Sequence, residues 1–290
     1  MQNIIEIPLD VPDNMKEDYL ENYKKATKGT GNLMLFAGDQ RIEHLNDDFY
    51  GKGIDIDDAD PKHLFEVAQK AKIGVFACQL GLISKYGKDY RDIQYLVKLN
   101  SKTNLTEPFS EVLSSVSEVV EFKQETNLNI VGVGYTVYIG SDREAEMLKT
   151  ASEVIREAHE NGLIVVLWMY PRGEKIKDEL DPHLIAGAAG VAVSLGSDFA
   201  KINCVNKKEF FEEVVKASGK TGIVCSGGEA KDETEFLKDL SFQLENGIKG
   251  SATGRNIHQK SLKDAVLMCN AIYDLVVERE PLKEVLLCIK

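Results

Sequence analysis

The sequence predicts an α/β chain closed into a single (β/α)8 (TIM) barrel with an N-terminal helical extension. Three observations predict it. Eight short, nearly continuous apolar runs recur along the 290 residues. Amphipathic helical stretches separate most of them. No Gly-x-Gly-x-x-Gly opens the first helix, where an open dinucleotide-binding sheet would carry it. Continuous apolar strands alternating with helices denote a parallel sheet covered on its outer face, and eight such units in this length favour a closed barrel.

Residues 1–30 read as the extension and 31–290 as the barrel. The strand runs are NLMLFAG (32–38), KIGVFACQ (72–79), IQYLVKLN (93–100), NIVGVGYTVY (129–138), LIVVLWMY (163–170), DFAKIN (198–203), TGIVCSG (221–227) and IKGSATG (248–254). Between them, DPKHLFEVAQKA starts with Asp60 as a cap and Pro61 at the first helical position. SDREAEMLKTASEVIREAHENG sets Ser141 and Glu144 at capping-box spacing and ends at Gly162. Its Ala145, Leu148, Ala151, Ile155 and Ala158 line one face. NKKEFFEEVVKASG and AKDETEFLKDLSFQLENG repeat the design, each ending near a glycine. No low-complexity stretch divides the chain.

Composition narrows the function. Hydrophobic residues make up 43% and charged residues 28%, as in an ordinary soluble globular protein. No apolar run approaches the roughly 18 residues of a membrane span. The N-terminal MQNIIEIPLDVPDN lacks a basic region followed by an apolar core. A net charge of −12 argues against nucleic acid as a partner, while leaving room for a locally positive pocket that takes a small anion. The five cysteines (Cys78, Cys204, Cys225, Cys269, Cys288) lack CxxC spacing and read as reduced thiols of a cytoplasmic protein. The five histidines (His44, His63, His159, His183, His258) show no HxxH or HExxH spacing, so neither metal nor cofactor is expected. Apolar patches on barrel helices point to a homo-oligomer.

Barrel chemistry sits where strands end and loops begin. The first strand ends in GDQRIEH, with Asp39, Arg41, Glu43 and His44. The third carries Lys98, the fourth ends at Tyr138, and the fifth ends in WMYPRG with Trp168, Tyr170 and Arg172 at alternating positions. The sixth holds Lys201, the seventh ends in Ser226-Gly227-Gly228, and the eighth in Gly254-Arg255. Glycines let backbone N–H groups close on an anion, and an arginine fork matches a phosphate, so the last two loops read as a phosphate site. Lys201, inward near the mouth and close to other cations, would have its pKa lowered and could attack a carbonyl as the neutral amine. The iminium so formed withdraws electrons from the neighbouring carbon, and C–C bond chemistry follows without a metal. Tyr170 could give and take a proton in a desolvated site. Three alternatives stand beside this reading. One is a metal-dependent enzyme built on Glu43, His44, Asp47 and Asp48, and another a non-catalytic phosphosugar binder. The third is an isomerase with Asp39 or Cys204 as base.

These marks (Asp39, WMYPRG, Lys201, CSGG, TGRN) resemble the archaeal-type class I fructose-bisphosphate aldolases, within the DeoC/LacD-like family of Schiff-base aldolases, over residues 30–260. The resemblance implies Lys201 as the Schiff-base lysine, Tyr170 as the proton-transferring residue, and Asp39 as the carboxylate beside the sugar hydroxyls. It implies that Ser226, Gly227, Gly228, Gly254 and Arg255 hold the ketose C1-phosphate, and that Trp168 and Arg172 line the pocket toward the distal end of the sugar. Lys98 is expected near the substrate, either depressing the pKa of Lys201 or competing as nucleophile. The implied reaction is reversible cleavage of fructose 1,6-bisphosphate, a sugar-phosphate partner from glycolysis and gluconeogenesis. Related members of the family make an aminodideoxyheptulosonate by a transaldolase-like step. The sequence departs from its relatives after the first strand, where GDQRIEH replaces Asp-His-Gly and a long acidic segment, 44–61, follows. That segment is expected to close the site differently.

Overall fold

Eight parallel strands close a barrel in the computed structural model, which describes residues 5–289. They are β1 (Leu33–Ala37), β2 (Val75–Cys78), β3 (Tyr95–Lys98), β4 (Ile130–Ile139), β5 (Ile164–Pro171), β6 (Phe199–Ile202), β7 (Gly222–Ser226) and β8 (Gly250–Thr253), each beside its sequence neighbours, with β8 closing onto β1. All eight fall inside or within a residue of the apolar runs read from the sequence. Period-two alternation sorts each strand into two cores. Leu33, Leu35, Ala37, Ile164, Val166, Trp168 and Phe199 fill the barrel interior. Met34, Phe36, Val165, Leu167, Met169, Ala200 and Ile202 pack outward under the helices.

The helix Lys16–Thr27 covers the N-terminal end of the barrel, adding Tyr19 and Ala26 to the interior core. The Tyr19 hydroxyl donates to Asp198, which also accepts from the Val165 N–H at 2.7 Å and pairs with His159 at 3.3 Å. The other ring nitrogen of His159 lies 2.9 Å from Asp10. With one end plugged, the open mouth lies at the strands' C-terminal ends. No helix among the described residues is long and apolar enough to cross a membrane.

Several local expectations are corrected. Ser141 and Glu144 form no capping box: that helix begins at Glu144, whose carboxylate reaches back to the Gly140 N–H at 2.5 Å. The capping box present is Ser115–Glu118, at the start of Val116–Thr126. At the helix Lys62–Lys70 the expectation holds: Asp60 is extended and its carboxylate accepts from the Lys62 N–H at 2.9 Å, and Pro61, directly before Lys62, has helical dihedrals. The reading of five reduced thiols also fails. Cys225 on β7 and Cys204, two residues beyond the end of β6, are joined as a disulfide with their Cα atoms 5.6 Å apart. A separation of 21 residues gave no motif from which to expect it. The bond also removes Cys204 as a candidate base.

Candidate active site

Lys201 sits on β6 two residues after Phe199, so the alternation that buries Phe199 also turns Lys201 inward, near the mouth. It is 5% exposed. On the neighbouring strand Trp168 is its register partner, and the ammonium lies 5.0 Å from the centroid of the Trp168 ring. Burial lowers the Lys201 pKa from its ordinary value; Asp39 and Glu43 oppose that shift and Arg255 reinforces it. Among the described residues no group accepts a hydrogen bond from its Nζ. Burial and the lack of an acceptor both disfavour the ammonium form relative to an exposed lysine.

One cavity collects most of the residues expected from the sequence. Its wall includes Asp39, Trp168, Tyr170, Arg172, Lys201, Ser226, Gly227, Gly228, Gly254 and Arg255. Lys98 is not part of that wall. It is buried 5.4 Å from the centroid of the same indole ring and donates to both the carbonyl and the side-chain oxygen of Asn100. Burial pulls its pKa down to about 8, against Asp39 and Glu43 and with a contribution from Lys201. A direct role of Lys98 in substrate contact is thus not what the geometry offers. The charge of Lys201 is among the influences that hold the Lys98 pKa down.

Three polar atoms of this wall, Asp39 Oδ1, Gln40 Oε1 and Trp168 Nε1, are buried without a hydrogen-bond partner. Native proteins rarely leave such groups unpaired, so the site is built for a polar ligand. Tyr170 is partly buried beside them. Burial, joined by the charges of Asp39 and Glu43, pushes its phenol well above the ordinary range. The hydroxyl therefore stays protonated.

At the β7 and β8 ends, Gly228 takes φ +66°, a left-handed conformation suited to glycine. The Gly227 N–H is already committed to the Ala252 carbonyl, so the backbone donors expected from all of Ser-Gly-Gly are reduced to those beyond it. A Cβ on Gly254 would stand 2.1 Å from Gln40 Nε2 and 2.8 Å from the Ala37 carbonyl, which accounts for a glycine there. Arg255 opens the short helix Arg255–His258. The acidic segment docks on that helix: Asp48 lies 3.8 Å from Arg255 Nε, Asp58 pairs with His258 at 2.7 Å, and the Asp48 carbonyl accepts from Gln259 at 2.8 Å.

Sequence reasoning passed over Asn203, Gln40 and Asn256. Asn203 lies two residues beyond Lys201, where the same alternation could have placed it, and it accepts from Ser226 Oγ at 2.9 Å. Asn256 braces the glycine loop by donating to the carbonyls of Gly227 and Glu229. Glu43 and His44 also line the cavity. Their side chains are spent on Arg172 (3.0 Å) and Asp48 (2.8 Å), and among the described residues no three His, Cys, Asp or Glu converge as a metal-ligand set.

Comparison with known proteins places this constellation. The profile described as DeoC/LacD family aldolase matches residues 33–260. The chain belongs to that family. Within it, the chain is 55% identical over 289 residues to a Methanocaldococcus jannaschii protein named fructose-bisphosphate aldolase/6-deoxy-5-ketofructose 1-phosphate synthase, covering 97% of this chain and 93% of that one. It is 34% identical over 274 residues to the class 1 fructose-bisphosphate aldolase of Thermoproteus tenax, covering 93% and 98% of the two chains. Among solved structures, the fructose-bisphosphate aldolase from Slackia heliotrinireducens superposes with a TM-score of 0.96 at 46% identity, covering 100% of this chain and 95% of that one. An archaeal fructose-1,6-bisphosphate aldolase, described with its catalytic Lys covalently bound to the carbinolamine intermediate, gives 0.79 at 34% identity, covering 89% and 99%. In this DeoC/LacD family aldolase the cavity lies at the strand ends of the barrel, with an inward lysine on β6.

Proposed function

We propose that the chain is a class I, Schiff-base aldolase that reversibly cleaves fructose 1,6-bisphosphate to dihydroxyacetone phosphate and glyceraldehyde 3-phosphate. The observation that carries this reading is Lys201, buried and unpaired at the mouth, flanked on one side by Tyr170 and on the other by the loops of Gly228 and Arg255. The relatives' names and the lysine-bound intermediate of the archaeal structure support it.

In the proposed sequence the C1-phosphate meets Arg255 and the loop donors after Gly227, which sets C2 beside Lys201. The amine adds to C2, and loss of water leaves the iminium. The unpartnered Asp39 Oδ1 takes the C4 hydroxyl proton, the C3–C4 electron pair moves to the iminium, and glyceraldehyde 3-phosphate departs. Tyr170 protonates the resulting enamine at C3, and water releases dihydroxyacetone phosphate and the amine. The Trp168 N–H, also unpartnered, is available to a sugar hydroxyl. The same site is proposed to condense dihydroxyacetone phosphate with aldehydes lacking a phosphate, as the name of the M. jannaschii relative implies for that protein. The arrangement of Arg172 favours this second use. The reading extends to a cytoplasmic homo-oligomer, to which exposed Phe242, Leu267 and Leu287 on outer helices would contribute apolar surface. Assay of a panel of ketose phosphates, with borohydride trapping, tests the proposal. Failure to cleave any of them would overturn it.

A further inference from the structure

Two arginines, Arg172 after β5 and Arg255 after β8, face one cavity from opposite sides of the Lys201 strand, and their surroundings differ. Among the described residues, Arg255 has one carboxylate within ion-pair reach, Asp48 at 3.8 Å. Arg172 has two: its Nη1 donates to Glu43 at 3.0 Å and its Nε to Glu179 at 3.3 Å. The Tyr138 ring lies 5.4 Å below the guanidinium. The cation at this end is therefore matched by protein carboxylates before a ligand arrives. A phosphate entering here must compete for the donors of Arg172 and approach two like charges, whereas an uncharged aldehyde meets neither penalty.

The two carboxylates are not equivalent. Glu43 belongs to the cavity wall and also accepts from the Tyr138 hydroxyl at 3.2 Å. Glu179 stands outside that wall, 46% exposed, on the loop between β5 and the helix Pro182–Leu195. Among the described residues, its side chain pairs with Arg172 alone. The loop itself is held independently, since Asp178 accepts from the Leu180 N–H at 2.9 Å and Asp181 caps the following helix.

We infer that Glu179 is a specificity-determining positioning residue. By holding Arg172 Nε it neutralises the end of the cavity remote from Arg255, so that acceptor aldehydes with and without a phosphate can both be used. The inference rests on the aldolase reading above. Its test is aldol condensation of dihydroxyacetone phosphate with glyceraldehyde 3-phosphate and, separately, with unphosphorylated glyceraldehyde, by wild type, Glu179→Gln, Arg172→Ala and the double variant. Because the pair is partly exposed, Glu179→Gln should lower KM for the phosphorylated aldehyde by about two- to fivefold, with little change for glyceraldehyde. In the Arg172→Ala background the same substitution should change nothing, because the group through which Glu179 acts is gone. Equal changes for both aldehydes, or an undiminished effect without Arg172, would overturn the inference while leaving the aldolase reading intact. A wild type that condenses neither aldehyde would overturn both.

Discussion

Trp168 stands opposite Lys201 in the parallel register of β5 and β6, its ring centroid 5.0 Å from the Lys201 ammonium. Two buried lysines, Lys98 and Lys201, lie near that indole, and their surroundings differ. Lys98 is tied to Asn100, whereas Lys201 is open to the cavity. Borohydride added with dihydroxyacetone phosphate should therefore place a secondary-amine adduct on the peptide containing Lys201, and none on that of Lys98. Lys201→Arg should abolish trapping, since a guanidinium stays protonated. Peptide mass spectrometry decides. An adduct on Lys98, or one that survives in Lys201→Arg, would assign the wrong nucleophile.

Tyr170→Phe keeps the ring but removes the phenol that burial holds protonated. Cleavage of fructose 1,6-bisphosphate should fall by roughly 10²–10⁴-fold. Trapping at Lys201 should persist, because attack on C2 does not use the phenol. Wild-type turnover in this variant would transfer the proton to another group, with Asp39 the nearest candidate.

The barrel floor makes a different prediction. Burial alone would lower the His159 pKa, but Asp198 and Asp10 raise it from the ordinary 6.5 to about 9. A base whose folded pKa is raised contributes its full stability below pH 6.5 and loses it as pH climbs through about 9. Wild type should thus be more stable than His159→Gln by on the order of 2 kcal/mol at low pH; Asp10, 44% exposed, holds this below the full linkage value. The difference should shrink toward pH 10. Denaturant melts of both proteins across this range measure it. An advantage that is flat or grows with pH would mean that the buried ring is neutral.

How much of this was legible in the sequence depends on the distance over which the physics acts. Strand identity is local, so all eight strands could be read, and period two placed Trp168, Tyr170 and Lys201 on one face. Lys98 obeys the same alternation, yet its capture by Asn100 depends on that side chain being fixed by Ser110 and Thr136. The acidic segment 44–61 gave no sign of its target, because Asp58 meets a histidine 200 residues away. Capping was missed at Ser115 and misplaced at Ser141 for a related reason. Spacing alone cannot tell which glutamate reaches its own helix start and which reaches the preceding strand's end.

The last prediction concerns the anion end. Arg255 lines the cavity beside Gly228 and Gly254, and among the described residues only Asp48, at 3.8 Å, pairs with its guanidinium. Arg255→Ala should raise KM for ketose 1-phosphates with a smaller effect on unphosphorylated analogues, by the loss of about 1.5–3 kcal/mol typical of a hydrogen bond to a charged group. Gly254→Ala should reach a similar outcome by another route. Its new Cβ would overlap Gln40 Nε2 and crowd the Ala37 carbonyl, forcing β8 and the first turn after β1 apart and shifting the arginine that follows. Because Gln40 is a flexible side chain and the Ala37 carbonyl is backbone, the double variant Gly254→Ala, Gln40→Ala separates the two clashes. Recovery of KM in that double variant would assign the cost to Gln40, and no recovery would assign it to the strand. Equal losses on phosphorylated and unphosphorylated ligands in Arg255→Ala would remove this arginine from the phosphate site.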